Sequence, residues 1–368
     1  MVHSRRHWRV LLAVLAAFAL VVAACGGDDD DSSSGSNNDT TTTGGSNVDF
    51  SSLSGTLNGS GATFPQAFYE AAIAGLAEEA PNLTVNYGGG GSGKGKQDLA
   101  DGVVDWAGSD SLVKPEDMSK YASGGGIFYF PTVAAPITIS FNVSGVDSLK
   151  LDADTLAGIF SRKITKWNDP AIAATNEGAD LPSSNIVVVH RADGSGTTNN
   201  FTKYLMSAAP STWTLGSGDT VNWSSDTQAG NGNPGVAQII KDTDGAIGYV
   251  DLADATASSL DTASIKNSAG KFVEPTLDGA AAAVDSAQVE ADLTYNPLNA
   301  SGDDAYPITA PTYIIVLQKT KTASKTPLIQ GWLNYVLGPG QDLAKDAGFA
   351  SLPDSLKEQA VAQIDKIT

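Results

Sequence analysis

One local event recurs along this chain and limits what it can fold into: a short apolar run, a loop of Gly, Ser and Thr, then a helix. It first occurs at Thr56-Leu57-Asn58, followed by Gly59-Ser60-Gly61-Ala62-Thr63-Phe64. Pro65 then opens a helix, since its missing N–H is not needed in a first helical turn. Phe68, Ala71, Ala72 and Leu76 follow as an apolar stripe at helical spacing. The second occurrence is Leu83-Thr84-Val85-Asn86-Tyr87, a glycine run with Ser92, and a helix predicted over 95–100. The third is Ile186-Val187-Val188-Val189, then His190-Arg191-Ala192-Asp193-Gly194-Ser195-Gly196-Thr197-Thr198, then a helix through Phe201, Tyr204 and Leu205. Strands alternating with helices predict an α/β architecture with largely parallel sheets. Ligands of such sheets sit beyond the carboxyl ends of the strands, near helix N-termini. Further strands are expected at 133–143, 246–249 and 313–317, and helices at 154–160, 234–241 and 327–336. Gly230-Asn231-Gly232-Asn233 reads as a turn.

The glycine run of the second loop, Tyr87-Gly88-Gly89-Gly90-Gly91-Ser92-Gly93-Lys94, fits most of the nucleotide P-loop pattern. That pattern needs Ser or Thr after its lysine to hold Mg²⁺, and Gly95 stands there. A dinucleotide pattern also fits Gly88, Gly90 and Gly93, but adjacent glycines match loose patterns in several registers by chance. What survives is the physics beneath both motifs. A glycine loop leading into a helix presents free N–H groups and a partial positive charge, which together suit an anion. One such loop reads equally well as a flexible connection. Three, each with a hydroxyl near the helix start (Thr63, Ser92, and Ser195 with Thr197), favour one shared tetrahedral oxyanion.

The third loop adds charge. Outside the first ten residues the chain has two arginines, Arg162 and Arg191. Arg191 lies beside the Gly-Ser-Gly-Thr turn, where a planar guanidinium can take two anion oxygens at once. Asp193 is placed to clamp that guanidinium; as an alternative it is a turn or helix-cap aspartate. Arg162, within Arg162-Lys163-Ile164-Thr165-Lys166-Trp167, reads as part of a solvated surface segment.

The N-terminus is read separately from the folded body. Arg5, Arg6 and Arg9 precede fifteen apolar residues, 10–24, a length that suits a signal peptide and is short for a membrane span. Val22-Ala23-Ala24-Cys25 resembles the lipobox of bacterial lipoproteins, which implies cleavage before Cys25 and a lipid on its sulfur. Arg5-Arg6 also fits a twin-arginine signal, an ordinary export n-region being the simpler reading. Cys25 is the only cysteine, so no disulfide forms within one chain. Residues 25–52, opening with Asp28–Asp31 and rich in Ser, Gly, Asn and Thr, are expected to be a disordered tether. The formal net charge is −19, and without the three signal-peptide arginines 19 basic side chains face 41 acidic ones, or −22. So acidic a body excludes nucleic acid as a partner.

Several ordered segments carry a family resemblance. They are Gly59-Ser60-Gly61-Ala62-Thr63-Phe64-Pro65, Val104-Asp105-Trp106-Ala107-Gly108-Ser109-Asp110, Lys163-Ile164-Thr165-Lys166-Trp167-Asn168, Arg191-Ala192-Asp193-Gly194-Ser195-Gly196-Thr197-Thr198-Asn199, Gly245-Ala246-Ile247-Gly248-Tyr249-Val250 and Ala305-Tyr306-Pro307-Ile308-Thr309. Together they resemble the phosphate-binding proteins of bacterial Pst-type ABC importers, over roughly residues 57–356. The resemblance implies a two-lobed periplasmic-binding-protein fold of type II, each lobe a mixed sheet flanked by helices. It implies lobe 1 at 53–136, lobe 2 at 137–304 and a return to lobe 1 over 305–368, with crossovers near Pro136 and Asp304. Inorganic phosphate would lie in the cleft, held by Thr63, Phe64, Ser92, Asp110, Arg191, Ser195, Gly196 and Thr197, with Asp193 orienting Arg191. No cofactor or metal is implied. The chain would act as a monomer, anchored through Cys25 at the outer face of the cytoplasmic membrane or in the periplasm, and would serve transmembrane permease subunits. His190 stands where relatives often carry another basic residue, and the second loop departs from the family in Gly and Lys content, so no ligand contact is carried over to Lys94 or Lys96.

Asp110 is the informative position. An ionised carboxylate accepts the proton of hydrogen phosphate, whereas sulfate has none to give, which is worth roughly a hundredfold in affinity. Trp106, close by in sequence, suggests a fluorescence response to ligand. Two other readings stand beside this one. A secreted phosphoryl hydrolase would need a base near Ser195, and the segment lacks the G-x-S-x-G elbow. A binding protein for another oxyanion would keep the fold and change the ligand.

Overall fold

The computed structural model describes residues 48–368; the export segment and Cys25 lie outside them. The chain is structured from Phe50, within the segment expected to be tether. Phe50–Ser52 make a 3-10 turn capped by the Asp49 carboxylate, and the Phe50 ring packs edge-on against Tyr335 at 5.7 Å. The apolar ring explains the difference: it outweighs the polar composition of the residues before it.

β1 (Gly55–Gly61), α1 (Gln66–Glu79), β2 (Leu83–Gly88), α2 (Ser92–Asp101) and β3 (Trp106–Ser109) come first. β4 (Ile127–Asn142) follows, then β5 (Lys150–Leu151), α3 (Ala153–Phe160), α4 (Pro170–Ala173), β6 (Val187–Arg191) and α5 (Gly196–Ala208). Next are β7 (Gln228–Gly230), α6 (Gly232–Asp242), β8 (Ala246–Asp251), α7 (Leu252–Ser258), β9 (Asp261–Thr262), β10 (Ser264–Lys266), β11 (Phe272–Val273) and α8 (Leu277–Asp285). The chain ends with β12 (Thr309–Leu317), α9 (Thr326–Leu337) and α10 (Asp354–Ile364).

The main sheet runs β2-β1-β3-β12-β4-β8-β6-β7, with β9 also on β4; β11-β10-β5 form a small second sheet. β1, β2 and β3 are parallel, as are β6, β7 and β8, while β4 and β12 run against their neighbours. β4 changes partner midway: Pro136 faces Thr309 of β12, and Ile137 faces Asp251 of β8. One long strand therefore belongs to both halves of the sheet. The expected strands were shorter than these because β4 carries Pro131 and Pro136 and is buried on both faces, so no alternation marks its ends.

Apolar burial holds each half together. α1 buries Phe68, Tyr69, Ala72 and Leu76, close to the expected stripe. In the first half Trp106 is fully buried, stacked on Tyr87 with 4.9 Å between ring centroids and edge-on to Tyr69. In the second, Phe160, Phe201 and Tyr249 pack together with centroids 4.5–5.9 Å apart. Each such ring contributes roughly 1.5–3 kcal/mol. In the segment around Arg162, Lys163, Thr165 and Lys166 are exposed as expected, but Arg162 and Trp167 are not. Arg162 has a left-handed φ of 62° and donates to Asp226 Oδ2 and the Ile186 carbonyl, both at 3.0 Å. Trp167 is fully buried and donates to the Gly245 carbonyl at 3.1 Å. The basic residues around that tryptophan hid its role as a core ring.

Candidate functional site

The carboxyl ends of β1, β3, β6 and β8 and the N-termini of α2, α5 and α6 meet where the halves of the sheet face each other. From the first half come Thr63, Ser92 and Asp110. The Gly91 N–H donates to the Gly61 carbonyl at 2.8 Å, which binds the second glycine loop to the first. Gly91 has φ +90°, and a Cβ there would stand 2.2 Å from Asp193 Oδ2 and 2.4 Å from the Gly194 carbonyl. Here the glycine run is a surface that lets backbone approach backbone. Ser92 begins α2, fully buried. Its Oγ accepts from the Asp110 N–H at 3.1 Å and lies 3.4 Å from Asp110 Oδ2.

From the second half come Arg191 and the start of α5. Arg191 is 4% exposed. Its Nε donates to Asp193 Oδ1 at 2.8 Å and its Nη2 to Asp193 Oδ2 at 2.5 Å, the two-pronged clamp expected from the sequence. Its Nη1 donates to Asn233 Oδ1 at 2.8 Å and points to Thr197 Oγ1 at 3.5 Å. Ser195 is the N-cap of α5, its Oγ accepting from the Thr198 N–H at 3.1 Å. Gly196 is pressed against the first half, since a Cβ on it would meet Ser92 Oγ at 2.4 Å and Asp110 Cβ at 2.7 Å. Phe64 turns its ring into the core against Phe349, leaving its backbone beside Thr63.

All the expected site residues among those described thus gather here, and four others join them. Asn233 is fully buried; its N–H donates to Thr63 Oγ1 at 3.0 Å, and its Nδ2 donates to Asp251 Oδ2 at 2.7 Å and Thr197 Oγ1 at 3.3 Å. Thr312 Oγ1, from β12, donates to Asp110 Oδ1 at 2.8 Å. Asn200 Nδ2 donates to the Asp110 carbonyl at 2.6 Å and to that of Gly196 at 3.0 Å. Lys96 reaches across to the other half, whereas Lys94 stays on its own helix, paired with Asp98. A signal for Asn233 was present in Gly230-Asn231-Gly232-Asn233, which is a fourth strand–glycine loop–helix unit rather than a bare turn. Thr312 offered none, being one hydroxyl inside an apolar strand.

Charge at the site is finely balanced. Asp110 is 3% exposed, and burial pushes its carboxyl up to about 7, against the Thr312 hydrogen bond and the Arg191 charge, which lower it. Asp193 is held below the usual carboxylate range: burial raises it, but hydrogen bonds to Arg191 and the Arg191 charge prevail. His190 is driven down by burial; its Nδ1 lies 2.9 Å from the Arg191 carbonyl, its Nε2 3.0 Å from Thr227 Oγ1, and its ring stacks on Trp223. With both nitrogens engaged it is poorly placed to serve Ser195 as a base.

A sequence profile described as the PBP superfamily domain matches residues 38–339. The phosphate-binding protein PstS of Pasteurella multocida is 35% identical over 314 residues, covering 84% of this chain and 89% of that protein. The one from Methanocaldococcus jannaschii is 37% identical over 334 residues, covering 83% and 85%. The chain belongs to the PstS family of phosphate-binding proteins. PstS 2 of Mycobacterium tuberculosis agrees, 33% identical over 85% of this chain and 87% of its own. Among solved structures, a high-affinity periplasmic phosphate-binding protein, PfluDING, bound with phosphate at pH 8.5, superposes with a TM-score of 0.70 at 26% identity, covering 84% of this chain and 94% of that one. The fold is the type II periplasmic-binding-protein fold, α/β with mixed sheets and flanking helices, as the PstS resemblance implied. These relatives are named as binding proteins, not enzymes, and the family is one of transport rather than catalysis.

Proposed function

We propose that this chain captures inorganic phosphate between the two halves of its sheet and passes it to the permease subunits of an ABC importer. The two halves act as lobes, 53–136 with 305–368 and 137–304, and close around the ligand by a hinge at the crossovers near Pro136, where β4 changes partner, and Asp304. In this reading residues 1–24 are a lipoprotein signal peptide, and Cys25 carries the lipid that holds a monomer, through its tether, at the outer face of the cytoplasmic membrane or in the periplasm.

One observation carries the ligand assignment: a buried carboxylate, Asp110, is set among the donors of α2 and α5 and faces Arg191 from the opposite half. An anion here meets the N–H groups of Thr63, Phe64, Ser92, Gly196 and Thr197 and the Ser195 hydroxyl, together with the Arg191 guanidinium; the Ser195 N–H is held by the Asp219 carbonyl. Asp193 fixes that guanidinium and cancels its formal charge, so dipoles supply most of the attraction. Once ionised, Asp110 repels every anion except one that brings its own proton. Hydrogen phosphate does so, donating its O–H to the carboxylate, and sulfate does not.

Calorimetry of phosphate against sulfate at pH 8 tests this. Phosphate is expected to bind at least about a hundredfold tighter, and Asp110→Asn to erase most of that margin. Equal affinities in the unsubstituted protein would overturn phosphate as the ligand. A margin untouched by Asp110→Asn would overturn the role given to Asp110.

A further inference from the structure

Lys96 lies on α2, in the first half of the sheet. Its ammonium has three protons and donates to three oxygens: Ser111 Oγ at 2.7 Å, the Leu112 carbonyl at 3.1 Å and Asp219 Oδ2 at 2.8 Å. The first two acceptors follow β3, within the same half. Asp219 follows α5, in the other half, and is fixed there twice. Its carbonyl accepts from the Ser195 N–H at 2.9 Å, and its Oδ1 accepts from Asn199 Nδ2 at 3.0 Å. Ser195 and Asn199 belong to the N-terminal turn of α5. The bridge therefore ties together the starts of the two helices that flank Asp110 and Arg191.

Its setting differs from that of the neighbouring pair. The Lys96 and Asp219 side chains are 12% and 15% exposed, whereas Lys94, in its bridge to Asp98, is 53% exposed. Water and salt screen the shielded pair far less. Both residues line a hollow of about 230 Å³ whose other walls include Tyr121 from the first half and Ser217 and Thr220 from the second. Beside the bridge the Gly93 N–H donates to the Gly194 carbonyl at 2.9 Å, a second bond between the same two loops. Asp219 is also close enough to push the Asp110 carboxyl upward, so a cation on it protects the anion site from one more negative charge.

We propose that Lys96 and Asp219 form a clasp across the mouth of the cleft that sets how long a bound anion is retained. The inference rests on the phosphate reading for its ligand but not for its closure. Neither residue contributes a donor to the proposed ligand set, so both act as positioning residues, by holding the helix N-termini together.

The test compares the unsubstituted chain with Lys96→Met, Asp219→Asn and the double variant. Asp219→Asn keeps both the backbone carbonyl for Ser195 and an acceptor for Asn199, so it removes the charge and leaves the loop intact. Rapid-mixing measurement of phosphate release is expected to show each single variant about tenfold faster, with the double no faster than either, since both break one interaction. The phosphate-to-sulfate ratio is expected to change far less than the release rate, since only the Asp219 charge near Asp110 bears on it. Release rates equal to the unsubstituted chain, or a double variant equal to the product of the singles, would overturn the clasp. Small-angle scattering in phosphate-free buffer reads closure without any ligand: both single variants are expected to have the larger radius of gyration. Should the unsubstituted chain bind no phosphate at all, the ligand assignment fails and scattering alone judges the clasp, equal radii overturning it.

Discussion

At the scale of the residue, the decisive group is Asp110, and what makes it decisive is its surroundings. Its sequence neighbours suggest a carboxylate at a strand end, and that much was legible. The burial that pushes it up to about 7 was not, because its partners come from elsewhere: Ser92 is 18 residues away and Thr312 is 202. The sequence reading therefore took Asp110 as simply ionised, whereas near neutrality it is poised between two forms. This has a consequence for pH. Below about 7 the carboxyl holds its proton and can donate to any anion; above about 7 the proton must come from the ligand. Sulfate affinity is therefore expected to be level in mild acid and to fall about tenfold per pH unit above about 7. Phosphate, bringing its own proton, should show no such slope through Asp110. In Asp110→Asn, whose amide is neutral throughout, the sulfate slope should vanish. Titration calorimetry from pH 6 to 9 measures both, and a sulfate affinity that ignores pH in the unsubstituted chain would show that Asp110 does not face the anion.

At the scale of the element, the loop–helix units were legible because glycine, hydroxyl and helix-start residues are local signals. Two features were not legible in the sequence, for physical reasons. The second helix was expected to begin near Gly95 because glycine is a poor helix former, yet α2 starts at Ser92, held by packing against the sheet. The fourth unit, β7 to α6, was missed because its strand has only three residues. The glycines of the second unit also serve two separate ends. Gly91 faces the other half of the molecule at Asp193 and Gly194, while Gly95 packs within its own half, where a Cβ would stand 2.6 Å from Gly61 Cα and from the Ser60 carbonyl. Alanine at the two positions should therefore fail differently. Gly95→Ala forces α2 off β1 and is expected to lower the melting temperature by several degrees, an overpacking cost of about 1–3 kcal/mol. Gly91→Ala also strains the ligand-free chain through its φ of +90°, but unlike Gly95→Ala it should weaken phosphate binding by at least about tenfold, because it holds the halves apart. Calorimetry and thermal melts of both variants separate the outcomes, and the reverse pattern would show that Gly91 serves only local folding.

At the scale of the whole molecule, the chain, of formal net charge −19 over its full sequence, must bind an anion. The site resolves this by being nearly neutral. Arg191 is cancelled by Asp193, Asp219 by Lys96, and the remaining attraction comes from N–H groups and hydroxyls that feel little of the distant surface, screened beyond about 8–10 Å at physiological salt. Such short-range donors act only when both halves surround the ligand, so in the proposed function binding and closure are one event. Closure should be visible in tryptophan emission, though not from the ring the sequence drew attention to. Trp106 is sealed in the first half, stacked on Tyr87, with its surroundings fixed by the sheet. Trp223 is better placed: it is half-buried, stacks on His190 at 4.9 Å, and lines the hollow beside Arg191. His190 directly precedes Arg191 in β6, and the Arg191 N–H donates to the Tyr249 hydroxyl at 3.2 Å, whose ring lies 6.2 Å from Trp223. A ligand that draws on Arg191 thus perturbs the immediate packing of Trp223. Phosphate is expected to change the emission of the unsubstituted chain, and Trp223→Phe to remove most of that change while calorimetric affinity stays within about threefold, as for a residue outside the ligand set. An emission change that survives Trp223→Phe in full would place the reporter at another tryptophan and mean that closure leaves the packing of Trp223 on His190 undisturbed.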